Sequence, residues 1–138
     1  MNELTRMLRE STYISDDKTS TYNHYLYFVY ANEAVKIGIT NCIEKRMYHY
    51  KTSNPGDVIL IADLTLQNKE IAEILESKIH NKFKQYKIKG EWFCANEEIL
   101  NFAKLVREAE NKRRKKMAEK SRKNMDKIIK QLKCTEAK

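Results

Sequence analysis

The 138 residues suffice for one domain of ordinary size, and their composition, 41% hydrophobic and 33% charged with three Gly and one Pro, is typical of a helix-rich globular protein and excludes a linker. The net charge of +8 is uneven, since residues 104–138 contain 14 Lys and Arg against 5 Asp and Glu while residues 1–103 contain 13 against 14, so the basic part is expected to bind a polyanion. No stretch reaches the ~18 apolar residues of a membrane span and the N-terminus lacks the apolar run of a signal peptide, so we expect an intracellular protein, in the cytoplasm, the nucleus or the interior of a host cell.

The first part of the chain predicts a loose arm followed by a β-hairpin. Residues 1–24 are polar and show no consistent period, so they predict a flexible N-terminal arm, with at most one short helical turn around Leu4, Met7 and Leu8. The segment HYLYFVYA predicts a strand, because aromatic and branched residues dominate and alternate between two faces. VKIGIT alternates in the same way and predicts the second strand of the hairpin.

A helix and a third strand are predicted next. Asn41 is a suitable residue to cap a helix of about ten residues, in which Ile43, Met47 and Tyr50 form the buried stripe. TSNPGD ends this helix and turns the chain. VILIADLTL then predicts the third strand.

The remaining elements are two helices separated by a short apolar strand. Asn68 is expected to cap a helix over about residues 69–87, with an apolar stripe facing the sheet. KIKGEWFC predicts a Gly-centred turn and a short strand, and Trp92 and Phe93 are expected in the core because this strand closes against the last helix. Asn96 begins that helix, which continues into the tail.

These elements predict an α+β fold with a small three-stranded antiparallel sheet flanked by helices and a basic C-terminal helical extension. The expected domain comprises residues 25–103, and the basic helical tail comprises residues 104–138.

The tail contains good helix formers but few apolar residues, and no sustained heptad is evident. A solvated helix, or one that forms on binding, is therefore favoured over a coiled coil. A weak self-contact through Ile128 to Leu132 stays open, so the protein is expected to be a monomer or a weak homodimer. The residues predicted to bind nucleic acid are Lys112, Arg113, Arg114, Lys115, Lys116, Arg122 and Lys123.

The pair YLYFVY and VKIGIT resembles the paired motif of the GIY-YIG endonuclease superfamily. Arg46, ten residues after Lys36, together with EILESKIHNKF and KGEWF, extends the resemblance to the small phage and viral DNA-binding subgroup, over about residues 25–102. The resemblance implies a GIY-YIG-like domain that hydrolyses phosphodiester bonds in DNA with one divalent cation, Mg²⁺ or Mn²⁺.

The same resemblance implies roles for four residues of the hairpin and the first helix. Tyr27 would help to activate or orient the attacking water, which requires a nearby cation because a free phenol has a pKa of about 10. Lys36, where most members have a second tyrosine, would favour the phenolate by its charge. Arg46 would clamp the phosphate, and Tyr50 would either hydrogen-bond the phosphate or the water, or simply pack.

Four further residues receive roles in the same way. Glu76 would bind the divalent cation, and His80, one helical turn later, would contact the metal, a phosphate or only Trp92. Glu91 would orient a water near the metal or hold the turn in place. Gly38 would allow the backbone to approach the site closely.

Two other functions remain open. The same fold would bind DNA without cutting it if the absent second tyrosine and asparagine are essential for hydrolysis. An interaction protein, whose basic helix docks on RNA or on an acidic partner, is the third candidate. Metal dependence separates the first two, and truncation after about residue 103 would reveal the third.

Overall fold

The computed structural model describes residues 2–14 and 22–136, and these residues form an α+β fold around one antiparallel sheet. The sheet has the strand order β3-β1-β2-β5-β4. In chain order the elements are α1 (Glu3–Ile14), β1 (His24–Ala31), β2 (Ala34–Thr40), α2 (Ile43–Ser53), β3 (Ile59–Leu66), α3 (Lys69–Lys82), a 3-10 turn (Lys84–Tyr86), β4 (Lys87–Lys89), β5 (Trp92–Cys94) and α4 (Glu97–Glu136).

The α+β class is confirmed, but the prediction of three strands is wrong, because the sheet has five. The segment KIKGEWFC forms a hairpin of β4 and β5 around Gly90, which has φ +58°. β5 then pairs antiparallel with β2, with Val35 opposite Phe93. Strands of three residues show little alternation of their own, and this pairing across distant parts of the chain is not visible in the local pattern.

The two faces of the sheet contact different helices. Leu26 and Phe28 of β1 lie in the main core, which is completed by residues of α1, α3 and α4. Tyr27 and Val29 face the other side and pack against Tyr50 of α2 in a smaller cluster. The predicted alternation of β1 is therefore confirmed, and it places Tyr27 on the face covered by α2.

The N-terminal residues form a helix that packs on the domain, so the predicted flexible arm over residues 1–24 is wrong for α1. Leu4 and Met7 are buried in the main core. Glu3 pairs with Lys82 at 2.6 Å, which fixes the start of the helix against α3. An isolated helix of 12 residues is marginal in water, so its order comes from these tertiary contacts and is weakly signalled in the sequence. The rest of the predicted arm includes residues 15–21, which lie outside the described part of the chain.

Two of the three predicted helix caps are confirmed. Asn68 Oδ1 accepts from the Ile71 amide at 2.8 Å, and Asn96 Oδ1 accepts from the Ile99 amide at 2.9 Å. The third prediction is wrong, because α2 begins at Ile43 after Cys42 and not at Asn41. α3 is also shorter than predicted, since the chain tightens into the 3-10 turn after Lys82.

α4 has 40 residues, or about 60 Å at the usual rise per residue. Its first turns bury Ile99, Phe102 and Val106 against the sheet, and the helix continues without a break across the predicted boundary between the domain and the tail. After Arg113, every residue up to Lys133 is exposed. Within the described residues, no helix is both long and apolar enough to cross a membrane.

Candidate functional site

Tyr27 and Tyr50 form the centre of the candidate site. Their phenol oxygens are hydrogen-bonded at 2.7 Å, and Tyr27 is only 1% exposed. Gly38 lies opposite Tyr27 on β2, and a Cβ at this position would be 2.5 Å from the phenol oxygen of Tyr27. The Tyr27 side chain occupies the space that any larger residue at this position would fill.

The electrostatic surroundings of Tyr27 keep its phenol protonated. Burial raises its pKa far above the ordinary value of a tyrosine, and the hydrogen bond with Tyr50 raises that pKa further. Arg46 opposes this change, while the charge of Glu91 adds to it. At neutral pH, Tyr27 is therefore a hydrogen-bonding group that can orient a water or a phosphate.

Lys36 lies beside Tyr50, Trp92 and Glu91. Its Nζ is 5.0 Å from the centre of the Tyr50 ring and 5.8 Å from that of Trp92, within the range of cation–π attraction. The same Nζ lies 3.7 Å from Glu91 Oε2. The predicted direct support of a Tyr27 phenolate by Lys36 is therefore not the arrangement found, and the ammonium instead balances a carboxylate at the edge of the site.

Trp92 belongs to the site and not to the core, so the prediction that paired it with Phe93 is wrong. Phe93 is fully buried, and alternation along β5 turns Trp92 to the opposite face. Trp92 is the direct partner of Lys36 across the strands, and its ring meets that of Tyr50 edge to face at 6.5 Å. The alternation of side chains along a strand was the signal that would have separated the two residues.

Glu76 projects from α3 at the edge of this cluster. Among the residues that the structure describes, its buried Oε2 has no hydrogen-bond partner. Burial raises its pKa from 4.5 to about 7, the charges of Glu91 and Glu73 add to this, and Lys36 opposes it. A half-buried carboxylate whose pKa is raised partly by a second carboxylate would be stabilised by a cation bound close to both.

The pair of Glu76 and Glu91 fits a divalent cation of the Mg²⁺ type. Carboxylate oxygens are the ligands that Mg²⁺ prefers, and this ion commonly takes one or two of them together with waters and substrate phosphates. Across the described chain, no group of three or more His, Cys, Asp or Glu side chains is arranged to hold a metal. The residues therefore suit a weakly held ion that is completed by substrate, and not a closed structural metal site.

Arg46 lies on the exposed face of α2, one helical turn before Tyr50, so the two side chains share a side of the helix. Its charge lowers the pKa of Tyr27, which places the guanidinium within electrostatic reach of the site. An exposed planar guanidinium is suited to bidentate binding of a phosphate.

His80 contacts the sheet through both a hydrogen bond and its ring. Its Nε2 donates to the carbonyl oxygen of Ile37 at 2.8 Å, and its ring meets Phe93 edge to face at 5.0 Å. These contacts tie α3 to β2 and β5. His80 thus holds the helix that carries Glu76 against the sheet.

The basic residues of the tail divide into two groups. Arg113 and Arg114 are tied to the domain, since Arg113 pairs with Glu110 at 3.0 Å and Arg114 pairs with Asp63 at 3.2 Å. The exposed residues beyond the domain, which leave their charges open to solvent, are Lys112, Lys115, Lys116, Arg122 and Lys123.

Glu110 connects the tail to the sheet, and no pattern in the sequence distinguishes it from the other charged residues of the helix. It is 1% exposed, and its two oxygens accept from the Thr65 amide and the Thr65 hydroxyl, each at 2.9 Å. β3 is an edge strand, so this carboxylate satisfies an amide that faces away from the sheet. Asp63, two residues earlier, is the direct partner of Tyr27 on β1. The basic helix therefore leaves the domain beside the strand that borders the site.

Comparison with known proteins identifies one family. The family model of the T5orf172 domain matches residues 19–110, about two thirds of the 138 residues. No curated protein and no solved structure matches the chain.

The family match corrects the resemblance to the GIY-YIG endonucleases, because the T5orf172 domain is a different family. Two short alternating strands, an arginine on one helix and a glutamate on the next can be accommodated by more than one α+β family. Lys36, in place of the second tyrosine, already departs from the paired motif. The residue pattern thus predicts the α+β class of the fold but not the family.

Proposed function

The chain belongs to the T5orf172 domain family, and from this premise we propose that it binds DNA and hydrolyses a phosphodiester bond with the help of one Mg²⁺ or Mn²⁺ ion. The family indicates a DNA-binding or nuclease-like module of phage type. The hydrolysis, the ion and the roles of individual residues are our proposal. A DNA substrate also agrees with the intracellular location expected from the sequence.

The observation that carries the proposal is the buried Oε2 of Glu76, which has no hydrogen-bond partner among the described residues. Its carboxyl interacts electrostatically with Glu91, and Glu91 Oε2 lies on the same side of Gly38 as the phenol of Tyr27, which is hydrogen-bonded to Tyr50. A buried carboxylate oxygen without a partner is costly, and a binding site is one reason for a protein to retain one. Glu76 and Glu91 would hold the divalent cation, which would neutralise charge on the scissile phosphate and on the leaving oxygen. The pair is too sparse to retain the ion tightly, so the ion is expected to bind together with the substrate.

Arg46 would bind the phosphate from the solvent side. Arg46 is exposed and lies within electrostatic reach of Tyr27, so its guanidinium would be free to donate two parallel hydrogen bonds to phosphate oxygens. Charge builds up on these oxygens during attack, so the contact strengthens as the reaction proceeds. Lys36, already placed between two aromatic rings and Glu91, keeps the local charge balanced.

Tyr27 and Tyr50 would orient the attacking water. The Tyr27 phenol stays protonated and is hydrogen-bonded to the Tyr50 phenol at 2.7 Å. The hydroxyl that accepts this bond can donate its own O–H to a water or a phosphate oxygen, and the hydroxyl that donates can accept from a water. Fixed orientation of a water is a recognised contribution to phosphoryl transfer and does not require the tyrosine to be ionised.

The exposed basic residues of α4 would hold the DNA backbone. Five of the predicted residues are exposed on the part of α4 that leaves the domain or at its start. This part of the helix begins beside β3, which pairs with the strand that carries Tyr27. Contacts of lysine and arginine with phosphates carry no direct sequence information and weaken with salt. We expect binding that is strong at low salt and largely independent of sequence.

Nicking of supercoiled plasmid, with Mg²⁺ or Mn²⁺ against EDTA, tests the proposal. Glu76→Gln and Arg46→Ala should each lower the nicking rate by about 100-fold or more, because each removes a charge that acts on the reacting phosphate. Glu73→Gln is the matched control, since Glu73 lies on the same helix, is exposed and pairs only weakly with Lys69 at 3.8 Å. Its rate should change little.

Gel-shift measurements on the same variants separate binding from cleavage. All three should retain most of their DNA binding, because none of them alters α4, although Arg46→Ala also loses one phosphate contact. If the unaltered protein shifts DNA but leaves it intact with every metal and at every pH, hydrolysis is ruled out and the protein is a DNA-binding module only.

A further inference from the structure

The part of α4 that extends from the domain has two different faces, and neither is buried in the described part of the chain. It leaves the domain after Arg113 and extends to Glu136, roughly 35 Å at the usual rise per residue. Every residue from Arg114 to Lys133 is exposed. In proteins, most of the stability of a helix comes from packing one of its faces, and this segment lacks such packing within the described chain.

Charges are strictly divided between the two faces over residues 117–133. In heptads counted from Ala118 as position a, every b, c and f position carries a charge, and these residues are Glu119, Lys120, Lys123, Asp126, Lys127, Lys130 and Lys133. The a, d, e and g positions contain a single charge, that of Arg122. The large apolar residues of this uncharged face are Met117, Met125, Ile128, Ile129 and Leu132, each more than 40% exposed.

We propose that the uncharged face of α4 pairs with the same face of a second copy of this chain, in a short two-helix coiled coil. Met125 and Leu132 at a, with Ile128 at d, provide the apolar residues of the seam. Each subunit would contribute the same surface to the contact, as in most two-fold dimers. Ser121 at d and Ala118 at a are small, so the contact is weakest near the domain and strongest near Ile128.

The position of the charges favours this partner over others. An acidic protein or a nucleic acid would bind the lysines of the charged face and leave the uncharged face open. A lipid surface needs a deeper apolar face, whereas this one includes Asn124 and Ser121 and lacks aromatic residues. Two copies of the chain are both strongly basic, yet their lysines point away from each other in the coiled coil and remain available to DNA. This inference holds whether or not the domain cuts DNA.

Sedimentation equilibrium of the full chain at high salt, from the low micromolar to about the millimolar range, tests the proposal. The mass should rise with concentration from 16.4 kDa towards twice that value. Ile128→Lys combined with Leu132→Lys should raise the dimer Kd by at least about tenfold, because two charges would enter the seam. The exposed substitutions do not touch the domain, and far-UV circular dichroism checks that it stays folded.

Glu119→Gln combined with Asp126→Asn is the matched control. It adds the same net positive charge to the same helix, but on the outward face, so the dimer should persist. A protein that stays monomeric over the whole range overturns the proposal, and so does a dimer that the two lysine substitutions leave unchanged. Monomeric protein that binds vesicles of anionic lipid through Ile128 and Leu132 also overturns it, in favour of a membrane surface.

Discussion

Tyr27 and Tyr50 share a 2.7 Å hydrogen bond between their phenol oxygens, although one lies in a central strand and the other on the helix that covers it. Both side chains are buried, so each hydroxyl depends on the other for a partner. This bond joins β1 to α2 at the point where Arg46 and Lys36 also meet the site.

Replacing either tyrosine by phenylalanine should destabilise the protein by about 1–3 kcal/mol, because the remaining hydroxyl is left buried without its partner. The double variant Tyr27→Phe/Tyr50→Phe should lose less than the sum of the two single losses. Urea unfolding of the four proteins measures the coupling. Tyr48→Phe is the control, because Tyr48 is 67% exposed on the same helix and should change stability by less than about 0.5 kcal/mol. Strict additivity of the two single losses would contradict the coupling.

Gly38→Ala should destabilise the protein by about 1–3 kcal/mol and displace the Tyr27 phenol. The added Cβ would lie 2.5 Å from the phenol oxygen and 2.7 Å from Cζ, closer than atoms can approach, and the ring is fixed between β2 and α2. Gly56→Ala is the control, since its Cβ would meet only the end of the Asn32 side chain at 3.2 Å. Urea unfolding compares the two, and equal losses would show that Gly38 is not specifically required by the ring.

Much of the fold around the site follows from local patterns. β1 was predicted with its observed ends, and the caps at Asn68 and Asn96 were predicted from the capacity of Asn to accept from free amides. These features depend on neighbours within about four residues. The sequence predicts neither α1 as a packed helix nor β4 as a strand. Both elements are stabilised by residues that are distant in the chain, as the pairing of Glu3 with Lys82 shows for α1.

The site divides in the same way. The sequence predicts that Glu76 lies at the edge of a buried stripe. It does not predict that Oε2 lacks a hydrogen-bond partner, or that Glu91 raises and Lys36 lowers the pKa of the carboxyl, because these two residues lie on other elements. His80 shares a helix face with Glu76, and only the position of Ile37 explains why its ring bonds to a backbone carbonyl. Spacing along a helix predicts which side chains of that helix are neighbours. The contacts that each side chain makes depend on the strand or helix packed against it.

The raised pKa of Glu76 predicts a loss of stability at higher pH in the absence of metal. In the unfolded chain the carboxyl ionises near 4.5, while in the folded protein its pKa is about 7. The contribution of the protonated Glu76 carboxyl to the free energy of unfolding is therefore complete below pH 4.5 and is lost as the pH rises through 7. Urea unfolding in the presence of EDTA measures this effect. Between pH 5 and pH 8, the free energy of unfolding of the unaltered protein should fall by about 1–3 kcal/mol more than that of Glu76→Gln.

Divalent cations should reverse this effect. At pH 8, millimolar Mg²⁺ or Mn²⁺ should stabilise the protein but not Glu76→Gln, because the ion binds the ionised carboxylate. Glu73→Gln, which leaves Glu76 in place, should respond to the metal as the unaltered protein does. The same pH dependence in Glu76→Gln would show that another group is responsible.

Glu110 should be among the most important polar residues for stability. Both of its oxygens are occupied, by the Thr65 amide, the Thr65 hydroxyl and Arg113, and its side chain is almost completely buried. Glu110→Gln keeps the shape but turns an NH₂ group towards donors, so we expect a loss of about 2–4 kcal/mol. Glu108→Gln, on the exposed side of the same helix, should change stability by less than about 0.5 kcal/mol. Urea unfolding decides between them, and a loss for Glu110→Gln no larger than that of the control would mean that the edge of β3 does not need this carboxylate.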